Sequence, residues 1–181
     1  MLQPPPLTLY VHLPWCVRKC PYCDFNSHGT GGREIPEQGY VDALLDDLER
    51  LHWAADGRVL TAVFFGGGTP SLFSAAALGR LLETADTRVG LAPDAEITLE
   101  ANPGTVEHDR FAAYRAAGVN RISLGVQSFD DDCLRRLGRI HGAAEADRAI
   151  AEIAAAGFDN FNLDLMYGLP GQDVAGAVAD V

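Results

Sequence analysis

Residues 7–25 read LTLYVHLPWCVRKCPYCDF, an apolar, β-prone run that passes through Pro14 into Cys16, Cys20 and Cys23. The strand signal covers residues 7–13 and stops at Pro14, because proline has no N–H to give a ladder. Gaps of three and two residues let the thiolates converge on one small metal centre. A trio is odd, so it does not pair off as disulfides, and Cys133, the other cysteine, lies far along the chain. Zinc sites usually close with four ligands, commonly two C-x-x-C pairs, and no second pair is present. An iron–sulfur cube normally takes four cysteines, so three leave one iron without a protein ligand. An open coordination position is what a catalytic metal needs and a structural metal avoids.

Working outward from this stretch, strand and helix signals alternate. Residues 26–36 are rich in small residues and read as a mobile loop. Pro36 suits a helix start, and Val41, Leu44, Leu45, Leu48 and Leu51 recur at helical spacing. Residues 61–65 read as a buried strand, 66–70 (GGGTP) as a turn, and Ser74 as the cap of a helix carrying Leu78, Leu81 and Leu82. A strand over 97–101 precedes a helix over 105–117, with Thr105 as its cap and Gly118 at its end. A strand over 121–126, a short helix over 130–137, a longer one over 143–156 stopped by Gly157, and a strand over 160–166 follow. The last residues, VAGAVADV, start a helix with no stop signal. The expectation is an incomplete core domain over residues 1–181, with the remaining barrel and a C-terminal domain beyond it.

Strands joined by crossover helices imply a parallel sheet with right-handed connections. Five such units and part of a sixth helix make an α/β fold, an incomplete barrel. A doubly wound sheet is the competitor, but no G-x-G-x-x-G follows the first strand. The strands read as almost wholly apolar, yet they end in Glu100, Gln127 and Asp164, groups costly to bury unpaired. In a parallel barrel all carboxyl ends face one way and their loops build the site. The cysteine loop and the glycines share that face.

With 181 residues, 48% of them hydrophobic, the chain has enough apolar material for one core. A net charge of -11 argues against a nucleic-acid partner, which needs clustered Lys and Arg. Neither a membrane span nor a secretory leader is supported by the pattern. Free thiolates fit a reducing, cytoplasmic setting.

Each candidate also has a plain structural reading. Gly66–Gly68 serve a tight turn equally well, and Glu100 serves as a salt-bridged strand end. Tyr10 and Tyr22 read as core aromatics, and Arg139, in the charged run RRLGRIH, as a solvated helix residue. His12 and His141 lie near the predicted site face and stay open, while Cys133 reads as a small buried hydrophobe.

C-x3-C-x2-C with an aromatic before the last cysteine resembles the radical S-adenosylmethionine (SAM) superfamily. YVHLPWC, CPYCDF, FFGGGTPS, LEANPG, GVQSF and DLMYGLPG, in that order, resemble the branch that holds oxygen-independent coproporphyrinogen III oxidase and the HemW-type haem chaperones. The resemblance implies a partial (β/α)6 barrel truncated after its fifth strand, and a [4Fe-4S] cluster on Cys16, Cys20 and Cys23 with SAM on the fourth iron. Reduction then cleaves SAM to methionine and a 5'-deoxyadenosyl radical. It also implies SAM contacts from Tyr10, Tyr22, Gly67, Gly68, Thr69 and Glu100. Gln127, Arg139 and Asp164 match positions that contact a second SAM in the oxidase.

The oxidase pattern continues after the last cysteine with one residue and a fourth cysteine; here Asp24 and Phe25 follow Cys23. Gly138–His141 and the short segment before Cys16 also resemble the chaperone. The resemblance therefore implies a haem chaperone, with haem or porphyrin, haem-accepting proteins and an electron donor as partners, and membrane contact only through recipients. The alternative is the oxidase, an enzyme that decarboxylates two propionates to vinyl groups.

Overall fold

The computed structural model describes residues 4–104 and 108–181. In chain order, β1 (Leu7–Leu13) leads into β2 (Trp15–Cys16), which pairs in parallel with β3 (His28–Gly29). Then follow α1 (Glu37–Leu51), β4 (Leu60–Gly67), α2 (Ala75–Arg88), β5 (Leu91–Ala101), α3 (His108–Ala116) and β6 (Arg121–Gln127). The described chain ends with α4 (Asp131–Leu137), α5 (Ala143–Ala155), β7 (Phe161–Leu165) and α6 (Val174–Ala179).

The five long strands form one sheet in the order β1-β4-β5-β6-β7, and every neighbouring pair is parallel. This sequential order is that of a sheet winding toward a barrel; a doubly wound sheet instead reverses its strand order near the middle. The fold is α/β, a partial (β/α)6 barrel. One face of the sheet carries Val11, Leu13, Val63, Phe65, Ile97, Leu99, Ile122 and Leu124, all buried. They share a core with Val41 of α1, Leu78 and Leu82 of α2, Phe111 of α3 and Ile153 of α5. Burying each large apolar side chain here is worth about 1.5–3 kcal/mol.

The strands are not almost wholly apolar. Because side chains alternate with a period of two, the opposite face, which a closed barrel turns inward, presents Glu96, Thr98, Arg121, Ser123, Asn162 and Asp164. These groups satisfy one another. Arg121 donates to Asn162 Oδ1 and, at 3.3 Å, to Thr98 Oγ1, and lies 3.8 Å from the Glu96 carboxylate. Asn162 donates to Ser123 Oγ at 3.1 Å and to Asp164 Oδ1 at 2.8 Å, and the Ser123 hydroxyl donates to Asp164 Oδ2 at 3.0 Å. Asp164 thus belongs to this network as well as to the strand-end site.

Two local expectations need correction. Residues 26–36 are not wholly a loose loop, since the His28 amide donates to Pro14 O at 2.7 Å and the Thr30 amide to Cys16 O at 2.8 Å. A two-residue strand beside glycines carries no alternation to read. β5 starts at Leu91 rather than 97, because Leu60 pairs with Leu91 before a register shift to Ala62 opposite Glu96. Pro93, which normally demotes a strand, sits inside that irregularity and concealed it.

Ser74 caps α2, its Oγ accepting from the Ala77 amide at 3.1 Å. The Thr105 cap lies outside the described residues. α6 is capped by Asp173, and Asp180 at its end is buried, accepting from the Ser128 hydroxyl at 2.8 Å and the Phe129 amide at 2.7 Å. Cys133 packs with Leu137, Leu169 and Met166, as a small hydrophobe would.

The fully buried Tyr114 of α3 ties the segment after β4 in place: its hydroxyl donates to Ser71 O at 2.7 Å and Phe73 O at 2.9 Å. Burial pushes its phenol up to about 12, so it stays a donor at any working pH. Tyr114→Phe is expected to cost about 2 kcal/mol of stability in chemical denaturation, because two buried carbonyls lose a shared donor; an unchanged midpoint would remove this tie.

Candidate functional site

A cleft of about 330 Å³ opens at the carboxyl ends of the strands. Cys16, Cys20, Tyr22 and Cys23 line it from the loop after β1, and Gly67, Gly68 and Thr69 from the segment ending β4. Glu100, Gln127, Arg139 and Asp164 line the rest, together with Asn102.

The cysteine loop is held at both ends. Its entrance rests on Trp15, whose ring meets Tyr40 edge-on at 4.6 Å and tilts against Phe73 at 5.8 Å. The Tyr40 hydroxyl donates to His12 O at 2.9 Å. The β2–β3 ladder closes the excursion, and Lys19 Nζ donates to Phe25 O at 2.8 Å. Between these ties the Cys23 amide donates to Cys20 O at 3.1 Å, making the turn that brings the last two thiols onto the cleft. All three cysteines are half-buried and free of disulfides. Among the described residues no three His, Cys, Asp or Glu side chains converge on the point a single ion would occupy.

The glycines have a steric reason independent of any ligand. A Cβ on Gly68 would stand 2.5 Å from Trp15 O and 2.7 Å from the Pro14 carbonyl carbon. Gly67 has φ +116, and a Cβ there would meet the His12 ring at 2.6 Å. The amides of this segment serve the fold: Gly67 N–H donates to Glu100 Oε2 at 3.1 Å, Gly68 N–H to Leu13 O at 2.9 Å and Thr69 N–H to Trp15 O at 2.7 Å. The turn reading and the site reading therefore describe one segment.

Glu100 is half-buried at the end of β5. Burial pushes its carboxyl up, the Gly67 N–H pulls it back, and the Asp164 charge raises it again. Burial likewise raises the Tyr22 phenol, opposed by the Arg139 charge. Arg139 is not a solvated helix residue. It follows α4 and turns into the cleft, donating to Asn102 Oδ1 at 2.6 Å and Gly125 O at 2.7 Å, with Cys20 Sγ 3.7 Å away. Gly138, at φ +73, makes that turn against Pro21.

Tyr10 is not among the residues that line the cleft, but it stands near enough to Glu100 that, after burial, the Glu100 charge raises its phenol. It lies on the inward face of β1, 55% exposed, beside Phe64 at 6.2 Å, and its hydroxyl meets His12 Nδ1 at 2.9 Å. His12 Nε2 donates to Asn26 O at 2.8 Å, which makes Nδ1 the acceptor for Tyr10. The sequence reading missed Asn102, which donates to Thr69 Oγ1 at 2.9 Å while accepting from Arg139. Its available signal was an Asn-Pro-Gly directly after a strand, which breaks the chain at the site face.

Two predictions arise here. Gln127 has φ 72, a left-handed conformation that disfavours any residue with a Cβ. Gln127→Gly is expected to be more stable than Gln127→Ala by about 1 kcal/mol in thermal denaturation, since both lose the amide and only alanine keeps the strain. The second concerns His141, which is buried with Nε2 donating to Val126 O at 3.1 Å and Nδ1 without a partner among the described residues. Burial and the Arg139 charge lower its pKa from 6.5. The unfolded chain therefore takes up this proton first, so the stability contribution is complete above pH 6.5 and is lost as pH falls through the folded-state value. His141→Gln is expected to flatten the fall in stability between pH 7 and pH 5, measured by denaturant titration; an unchanged slope would assign it to other groups.

The chain is 56% identical over 181 residues to the heme chaperone HemW of Escherichia coli, covering 100% of this chain and 48% of that protein. It is 53% identical to the heme chaperone HemW of Haemophilus influenzae, covering 98% and 47%. The chain thus spans about half the length of the curated relatives it matches. Among solved structures, HemN of Escherichia coli, a coproporphyrinogen III oxidase described as a radical SAM enzyme, superposes with a TM-score of 0.80. That match has 32% identity and covers 97% of this chain and 40% of that one. The Radical SAM superfamily profile matches residues 10–178, and the chain belongs to that superfamily.

Proposed function

We propose that this protein is a cytoplasmic, [4Fe-4S]- and SAM-binding haem chaperone that binds haem and delivers it to haem proteins. The observation that carries the reading is the high identity to the HemW chaperones across the entire chain. Phe25, 60% exposed where the oxidase pattern has a fourth cysteine, supports the same choice. No described helix is long and apolar enough to cross a membrane.

In this reading Cys16, Cys20 and Cys23 hold the cluster, which supplies one-electron cleavage of SAM when reduced. The chain's own residues bind and orient. With its amides turned inward to the fold, the Gly67–Thr69 segment has carbonyl oxygen to present, and a carbonyl suits an amino group. Glu100, fixed by the Gly67 amide, offers an acceptor, and a cationic group bound beside it would offset the burial that pushes its carboxyl up. Tyr22 adds ring surface beside these groups. Gln127, Arg139 and Asp164 line the far side and bind the polar end of SAM or of a second molecule of it. Tyr10, bonded to His12 and within reach of the Glu100 charge, is the contact from β1 that the resemblance implies.

The fold likeness to HemN favours a second reading, coproporphyrinogen III oxidase. The deciding experiment uses the full-length protein, reconstituted without oxygen and given SAM, a reductant and coproporphyrinogen III, with haem binding measured in parallel. Stable haem binding without decarboxylated product is expected. Protoporphyrinogen formed over many turnovers would replace the chaperone by the oxidase. In the same preparation Cys20→Ala is expected to lose most of its iron, and Glu100→Ala to bind SAM at least about tenfold more weakly, or about 1.4 kcal/mol. Wild-type iron content in the first variant, or wild-type affinity in the second, would remove that residue from the site.

A further inference from the structure

We propose that Arg139 is a redox-positioning residue: its guanidinium hydrogen-bonds the Cys20 sulfur and raises the reduction potential of the cluster bound there. The inference rests on the family reading of the three cysteines. It adds a role for a residue that the sequence resemblance associates only with SAM.

The guanidinium is fixed on several sides. One terminal nitrogen donates to Asn102 Oδ1 at 2.6 Å and to Gly125 O at 2.7 Å. The other points at Cys20 Sγ, 3.7 Å away. Nε is buried without a partner among the described residues, while the fork itself lines the cleft. The backbone beneath it is pinned across the cleft as well. Arg18, from the cysteine loop, donates to Gly138 O and, at 3.5 Å, to Arg139 O. Gly138 leaves no room for a Cβ, which would stand 2.8 Å from Pro21 Cδ. The cysteine loop thus holds the Arg139 backbone, and Arg139 returns its charge to the loop's middle cysteine. Cys23 has a weaker neighbour, the neutral Ser27 hydroxyl at 3.9 Å.

A cluster gains negative charge when one electron enters it. A cation and an N–H directed at a ligand sulfur stabilise that reduced state more than the oxidised one, which raises the potential. Partial burial strengthens the effect, because fewer water dipoles screen it. The step is electron transfer alone. Dithionite supplies the electron in the test, Arg139 keeps its proton throughout, and no bond of the side chain is made or broken.

The test is a potentiometric titration, followed by EPR, of full-length wild type, Arg139→Lys and Arg139→Met. All are reconstituted to equal iron content and measured without SAM, so that changed SAM affinity does not enter. The midpoint is expected to move negative in Arg139→Lys, which keeps the charge but loses the planar fork, and further in Arg139→Met. Should Arg139→Met fail to hold iron, the lysine variant decides alone: a negative shift supports the proposal, and an unchanged midpoint overturns it. Equal midpoints in all three proteins would likewise overturn it and reduce Arg139 to a packing or SAM-binding residue. A wild type that takes up no cluster would instead defeat the underlying family reading.

Discussion

The close approach of two backbones, Gly68 against Pro14 and Trp15, is the constraint on which the rest of the site depends. Parallel pairing of β1 with β4 brings both chains out of the sheet side by side, and the amides of Gly68 and Thr69 bond to Leu13 and Trp15. A side chain at Gly68 would occupy the space of those carbonyls. Without that contact the cysteine loop has no wall to start from, and the edge-on packing of Trp15 with Tyr40 loses its support. The same contact directs the segment's amides inward, so its ligand-facing chemistry is set by the fold before any cofactor arrives.

From this seam the site grows by relay. Thr69 receives Asn102, Asn102 receives Arg139, and Arg139 reaches back to Cys20. Each link joins the end of one β/α unit to another, so the strands' common direction is what allows four separate loops to meet. The electrostatics follow from that meeting. The Asp164 charge adds to the cost of ionising Glu100, while Arg139 places a fixed cation beside the cysteines in a chain whose net charge is -11. A local positive group in an acidic protein marks the place where negative charge is to be held.

The inward face of the sheet shows how a strand reads differently alone and in company. Arg121 and Asn162 look misplaced within β-prone runs, and a carboxylate at Asp164 looks like a strand end. Side by side they make one network, Arg121 to Asn162 to Asp164 with Ser123 between, in which each polar group has a partner. The cost of placing them in a barrel interior is met by pairing, which no single strand displays.

The sequence by itself determined the α/β class and the order of strands and helices, and it set the spacing of the three cysteines. Periodicity and caps such as Ser74 are local properties, and three cysteines within eight residues of chain carry their own spacing. It also carried the resemblance that led to the superfamily. Only the tertiary structure decided that Arg139 turns inward to Cys20, that Asn102 joins Thr69 to Arg139, that Tyr10 packs beside Phe64, and that the loop after Cys23 returns as a strand. The reason is physical. These outcomes depend on contacts between residues 14 to 121 positions apart, such as His28 with Pro14 and Arg18 with Arg139. Local sequence holds no trace of such contacts until the sheet brings the strand ends together.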